Sequence, residues 1–284
     1  MSDHIKGLLF AFTGVLVLSP DSLLIRLADI DQWSLLVYRG LSMAAGMALI
    51  SSYLDSVPLP KQYLNIGRTG ALAAICFAAS TIGFINAVTY TTIANTLVIV
   101  ATAPLFAALF SRFFLGERLK LMTFIAILFV LAGMILVVGQ ADEGSHWVGD
   151  LSALVTAVCI AATFVLNRKN KDTNMVPAIS ISGGLVAIVA LPFASWVALD
   201  AYTIFIVVLI GLLATIAFVL ITVAARYIPA AEISLILPLE TVGGIALAWW
   251  ILDEVPGTLT LLGAVIILVS LMAHSYFVLK KTRQ

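Results

Sequence analysis

The sequence predicts an all-α membrane protein of ten transmembrane helices, and three observations carry that expectation. The first is composition. Of the 284 residues 62% are hydrophobic and 11% charged, with a mean hydropathy of +1.13, whereas soluble domains run roughly 45–50% apolar and about 25% charged. So few charges cannot cover a globular surface. The second is length: mostly apolar stretches near the roughly 20 residues that cross a hydrocarbon core about 30 Å thick recur along the whole chain. The third is a segregation of basic from acidic residues between alternate loops.

A backbone in lipid must satisfy its own hydrogen bonds, so an unbroken run such as 121–138 reads as a helix; barrel strands would alternate over about ten residues. The spans expected in the first half are 7–24, 33–54, 67–89, 94–114 and 121–138, and in the second 147–166, 176–196, 204–225, 230–252 and 258–279, joined by short loops. The opening MSDHIKGLLFAFTGVLVLSP sets one Lys before an apolar run, as a signal peptide does, yet no A-x-A cleavage pattern follows, and it reads as the first span. Cys76 and Cys159 both lie inside apolar runs, which argues against a disulfide or a metal cluster.

Lys and Arg in short loops stay on the cytoplasmic side. With the N-terminus cytoplasmic, the cytoplasmic segments collect Lys6, Lys61, Arg68, Arg112, Arg118, Lys120, Arg168, Lys169, Lys171, Arg226, Lys280, Lys281 and Arg283, leaving only Arg26 and Arg39 elsewhere. The opposite loops hold Asp29, Asp31, Asp142, Glu143, Asp150, Asp200, Asp253 and Glu254. A wrong span count would scramble this pattern, so both termini are expected in the cytoplasm of a multi-pass cell (inner or plasma) membrane protein.

The chain also matches itself at a shift of about 137 residues. Ala87, Tyr90, Ala94, Ile99, Glu117 and Thr123 pair with Ala224, Tyr227, Ala231, Ile236, Glu254 and Thr260; at a slightly different shift, Gly7, Ala11 and Arg26 pair with Gly149, Ala153 and Arg168. Residues 1–140 and 141–284 are therefore read as two repeats. Five spans per repeat is odd, so the repeats lie in the membrane with opposite orientation, the arrangement by which many carriers build two alternately open states.

The segment AVTYTTIANTLVIVATAPLFAALFSRFFLGERL, residues 87–119, carries a small-x-x-Tyr pattern followed by a proline-bearing fourth span ending in Gly-Glu-Arg. With the five-plus-five repeat, it resembles the drug/metabolite transporter superfamily in its ten-helix EamA-type branch, over nearly the whole chain. The second copy, from Ala224, departs from the pattern with Thr241 opposite Pro104 and Asp253 opposite Gly116. The resemblance implies a basket of helices around a central cavity, with spans five and ten peripheral, and efflux or exchange of amino acids, other metabolites or drugs.

Ionisable groups inside spans cost at least a few kcal/mol when unpaired, which singles out Asp21, Arg26, Arg39, Glu232 and Glu240. Counted inward at 1.5 Å per residue, Asp21 and Arg39 both lie roughly 10 Å below the outer boundary on consecutive helices, and so can meet. They form either a structural ion pair or an outer gate or zwitterion clamp in which the Arg39 donor fork takes a carboxylate. Arg26 is close enough to the interface to snorkel. Glu240 falls near the middle of span nine with no basic residue within a turn. Desolvation there favours the uncharged acid until a cation or substrate amine approaches, so Glu240 is either a substrate or proton site or a hydrogen-bonded packing acid. Glu232 is expected to pair with Arg226.

Asn86, Tyr90, Asn95, Thr102, Thr163, Tyr227 and Thr241 could hydrogen-bond a solute, or bridge helices and mark the interface. Trp33, Trp147, Trp196, Trp249 and Trp250 fall near outer ends and fit an aromatic belt. Pro20, Pro104, Pro192 and Pro238 each remove a backbone donor and predict kinks or hinges. Gly183-Gly184 and Gly243-Gly244 permit close helix contact, and Glu117 and Glu254 read as loop anchors. His4, His146 and His274 lie too far apart in the span order for an obvious metal cluster, and no P-loop, H-E-x-x-H or G-x-S-x-G pattern occurs. No cofactor, metal or nucleic-acid partner is expected.

The expectation is thus a secondary carrier, not an enzyme, a monomer or homodimer that exports or exchanges a small polar or zwitterionic metabolite. Amino acids or their derivatives lead, with protons as coupling ion. Two alternatives stand beside it: an exchanger for a nucleotide-linked or cofactor-like metabolite, and a non-transporting membrane sensor or scaffold.

Overall fold

The computed structural model describes residues 3–91, 96, 99–117, 121–138, 147–195, 199–252 and 258–282. Among them the regular structure is entirely helical. Among the described residues six helices are long and apolar enough to cross a membrane, and shorter apolar helices cover 103–115, 121–133 and 261–270.

Proline decides where several apolar runs break, because it offers the preceding turn no N–H. The first run is two helices, α1 (Asp3–Leu18) and α2 (Asp21–Ala28), separated at Ser19-Pro20. α3 (Gln32–Leu54) begins at Asp31, whose side chain accepts from the Trp33 and Ser34 N–H groups and satisfies donors left open at a helix start. The connection to the next run, expected as a loop, holds a short helix, α4 (Leu59–Asn65), which Pro58 starts. α5 spans Gly67–Tyr90. The following run turns at Ala101-Thr102, continues as α6 (Ala103–Phe110) and ends in a π-helical turn, Ser111–Leu115.

α7 (Leu121–Val138) and α8 (Trp147–Lys169) are unbroken, and α9 (Val176–Ala190) tightens into a 3-10 turn at Leu191–Phe193 around Pro192. α10 (Ala201–Ala224) starts at an Asp200 cap. The ninth expected span is again two helices, α11 (Ala230–Ile236) and α12 (Pro238–Leu252), before α13 (Thr258–Thr282).

Lipid is as apolar as the side chains, so packing here depends on close backbone approach and buried hydrogen bonds more than on burial from water. α5 packs most extensively on α8, α3 on α9, α7 on α13 and α1 on α10. These contacts recur in matched pairs. At the α3–α9 crossing, a Cβ on Gly40 would lie 2.6 Å from the Gly183 carbonyl, and one on Gly183 would lie 2.6 Å from the Gly40 carbonyl. Between α7 and α13, Gly133 is close against the Gly263 carbonyl, while Ser270 Oγ donates to the Ala126 carbonyl at 3.2 Å. Gly14 of α1 is close against the Ala217 carbonyl of α10; Thr156 Oγ1 of α8 donates to the Ser80 carbonyl of α5 at 3.2 Å.

Polar contacts tie the helix ends in two layers. At one end Gln32 Nε2 donates to Tyr90 Oη, Thr91 Oγ1 to Asp150 and Ser34 Oγ to the Ser195 carbonyl, and Trp33 packs on Phe193. At the other, Arg168 Nε donates to Glu117 at 3.2 Å and its Nη1 to the Ala225 and Arg226 carbonyls, and Arg226 Nε donates to the Lys171 carbonyl. The expected Glu232–Arg226 pair does not form. Glu232, 2% exposed, lies 3.2 Å from His4 Nε2, which the first turn of α1 carries.

Candidate functional site

The helix breaks and the polar span residues meet at one place. A cavity with an empty volume of about 740 Å³, its mouth included, lies among α1, α2, α3, α5, α8, α10, α11 and α12. Asp21, in the first turn of α2, and Arg39, on α3, line it together with Glu240, in the first turn of α12. The Pro20 break puts Asp21 at a helix start, and the Leu237-Pro238 break does the same for Glu240. Proline thereby sets both carboxyl groups where open backbone donors favour negative charge.

Asp21 and Arg39 are 2% and 4% exposed, and Arg39 Nη1 donates to both Asp21 oxygens at 2.7 Å. A single guanidinium nitrogen therefore holds the carboxylate, in place of the two-pronged grip Arg can offer. Arg39 Nε is buried without a hydrogen-bond partner. Arg39 is the one basic side chain lining the cavity among the described residues.

The rest of the wall is aromatic and hydroxylic. Phe77, Ser80, Thr81 and Phe84 follow the i, i+3, i+4, i+7 spacing of one helix face on α5. Phe77 meets Phe218 of α10 edge to face, ring centres 4.6 Å apart at 80°. Beyond that pair, toward the Arg168 end, Leu8, Ala11, Phe164, Val165, Ala224 and Ile228 form a continuous apolar core. None of the α5 face was singled out from the sequence, although its 3.6-residue stripe of Phe and hydroxyl residues was there to find.

The other expected positions are scattered. Tyr90 is 43% exposed at the end of α5, holding Gln32. Asn86, one turn earlier, has a buried Oδ1 without a partner and does not line the cavity. Thr102 donates to the Ile99 carbonyl at the turn before α6, beside buried Pro104. Tyr227 lies at the Arg168 end, its ring 6.1 Å from Phe10. Thr163 is buried and donates to the Cys159 carbonyl. Pro238 lines the cavity. Asn95 and the side chains of Thr241 and Arg26 lie outside the described residues, as does Glu254.

The model of the EamA-like transporter family matches residues 5–139 and again 147–276. The chain belongs to the EamA-like transporter family. It is thus a membrane transporter of the drug/metabolite transporter type. The chain is 27% identical over 254 residues to the pseudopaline exporter CntI of Pseudomonas aeruginosa, strains UCBPP-PA14 and PAO1, covering 85% of this chain and 82% of the relative. A protein crystal structure superposes with a TM-score of 0.79 at 18% identity, covering 99% of this chain and 100% of the other, which shows a shared fold.

Proposed function

We propose that the protein is a secondary carrier that exports or exchanges a small zwitterionic or amine-bearing metabolite, amino acids and their derivatives first, by alternating access. The observation that carries this reading is the placement of Asp21, Arg39 and Glu240 around one aromatic-walled cavity in a transporter fold. The cargo carboxylate meets the Arg39 guanidinium edge, its ammonium meets Glu240, and the phenylalanine wall takes an apolar body. The pseudopaline exporter relative supports export of a small metabolite.

The halves 1–140 and 141–284 are proposed to form ten transmembrane helices as two inverted five-helix repeats. The paired contacts support this. At the sequence shift of about 137, Gly133 and Ala126 correspond to Ser270 and Gly263, so the two α7–α13 contacts exchange. At their own shifts Gly14 corresponds to Thr156 and Ala217 to Ser80, so the α1–α10 contact exchanges with the α5–α8 contact. The basic Arg168 end is assigned to the cytoplasm of the cell membrane with both termini there. Glu240 exchanges protons with whichever side is open and so couples export to proton uptake. A nucleotide-linked cargo, whose phosphates call for several cations, is disfavoured by the single lining Arg.

Counterflow of amino acids in proteoliposomes tests the reading. Arg39→Ala abolishes exchange, and Glu240→Gln removes its pH dependence. Unchanged transport and pH dependence in both variants would remove these residues from the mechanism.

A further inference from the structure

We infer that Cys76 and Cys159 face each other across the α5–α8 seam and together form a two-thiolate site for a soft cation of linear coordination, with mercuric ion the best fit. Neither cysteine lines the central cavity, so the site stands apart from the carrier reading and from any cargo. The register of the two helices carries the inference. A Cβ on Gly149, near the start of α8, would lie 2.7 Å from the Thr91 backbone nitrogen just past α5, and one on Gly83 would lie 2.9 Å from the Ser152 carbonyl. Thr156 Oγ1 donates to the Ser80 carbonyl at 3.2 Å, and Asn170 Nδ2, just past α8, donates to the Ile66 carbonyl just before α5 at 3.4 Å. The helices are therefore antiparallel, with their contacts pinned at both ends and in the middle. One turn from Ser80 toward Ile66 stands Cys76, and one turn from Thr156 toward Asn170 stands Cys159. Residues three or four apart share a helix face, so Cys76 continues the face of Gly83 and Ser80, and Cys159 that of Ser152 and Thr156.

Both thiols are free and half-buried. Thiolate ligands select soft cations. Two are too few for the four-ligand shell of a structural zinc, and among the described residues no group of three or more His, Cys, Asp or Glu side chains could complete one. A linear ion asks for no third ligand. Metal–thiolate bonds of about 2.3 Å hold two sulfurs roughly 4–5 Å apart, the separation of side chains that meet across a helix contact. On binding, each thiol releases its proton to solvent as its sulfur bonds the ion, and no oxidation state changes. A divalent ion with two thiolates is neutral, which suits a seam where net charge is costly. The ion also joins the repeat 1–140, through α5, to the repeat 141–284, through α8.

The test is a titration of the purified full chain in detergent with mercuric chloride, read by native mass spectrometry and by the thiols still reactive toward a maleimide. The first equivalent should give a monomeric chain carrying one ion and no reactive thiol, and should raise the SDS midpoint of unfolding. Cys76→Ser and Cys159→Ser each keep one thiol and lose the second grip, so glutathione should strip their ion about 10²–10⁴-fold more readily than from the parent chain. One thiol left reactive after one equivalent, two ions on one chain, an ion bridging two chains, or no uptake at all would overturn the site. So would a single-cysteine variant that holds the ion as tightly as the parent. The parent titration needs no substitution, so a variant that fails to fold leaves the test standing.

Discussion

Replacing Arg39 by Met would remove the partner of Asp21, whose carboxylate is 2% exposed and otherwise held by no described side chain. A buried charge that loses its partner costs about 3–5 kcal/mol, far more than an exposed pair, whose median worth is about 0–1 kcal/mol. The reciprocal Asp21→Leu, which strands Arg39 at 4% exposure, should cost a similar amount. The double variant Asp21→Leu with Arg39→Met should recover most of either loss, since an apolar pair of similar volume is often neutral against a buried ion pair. SDS-driven unfolding in mixed micelles, analysed as a double-mutant cycle, reads these differences directly. Counterflow on the same variants separates two roles: a double variant that is stable but does not transport makes Arg39 a cargo contact, and one that is stable and transports makes the pair structural only. Single variants within about 0.5 kcal/mol of the parent chain would refute the buried-charge reasoning.

Three further outcomes are expected. Glu240→Gln should keep exchange of a neutral zwitterion measurable while flattening its dependence on the pH difference across the vesicle membrane; a full pH response would place coupling elsewhere. Gly40→Ala sets a Cβ 2.6 Å from the Gly183 backbone carbonyl and should cost about 1–3 kcal/mol by overpacking, read as SDS unfolding. Asp31 lies outside the spans, and although burial pushes its carboxyl up, hydrogen bonds from Ser34 and the Trp33 N–H outweigh it and hold the group below the usual carboxylate range. Its cap is therefore fully present above the ordinary carboxylate pKa and lost as pH falls through the lower folded value; Asp31→Ala should remove about 0.5–2 kcal/mol near neutral pH and flatten this acid limb of a thermal-unfolding pH series.

Much of the fold was legible because membrane helices announce themselves through length and hydropathy, and because Pro20 and Pro238 cannot continue a hydrogen-bond ladder wherever they stand. The Asp21–Arg39 pair was equally readable, since two buried ions of opposite sign on neighbouring helices have few other solutions. Glu232 misled because sequence neighbourhood suggested Arg226, whereas α1 brings His4 across the bundle to it. The helix α4 was hidden in a polar connection too short to show a period. Tyr90 and Tyr227 stood out as repeat-matched residues, yet they lie at opposite helix ends, where a repeat reflects shared architecture as readily as a binding role. The Phe77, Ser80, Thr81 and Phe84 stripe escaped notice because an all-round apolar helix masks which face meets a cavity and which meets lipid.

Alternating exposure of the central cavity is most directly tested by one engineered thiol. In a chain with Cys76 and Cys159 replaced by Ala, Ser80→Cys should react with a membrane-impermeant maleimide added to either face of oriented vesicles, and cargo should shift the balance between the two faces. Reaction from one face only, with or without cargo, or from neither, would contradict a carrier that opens its two sides in turn.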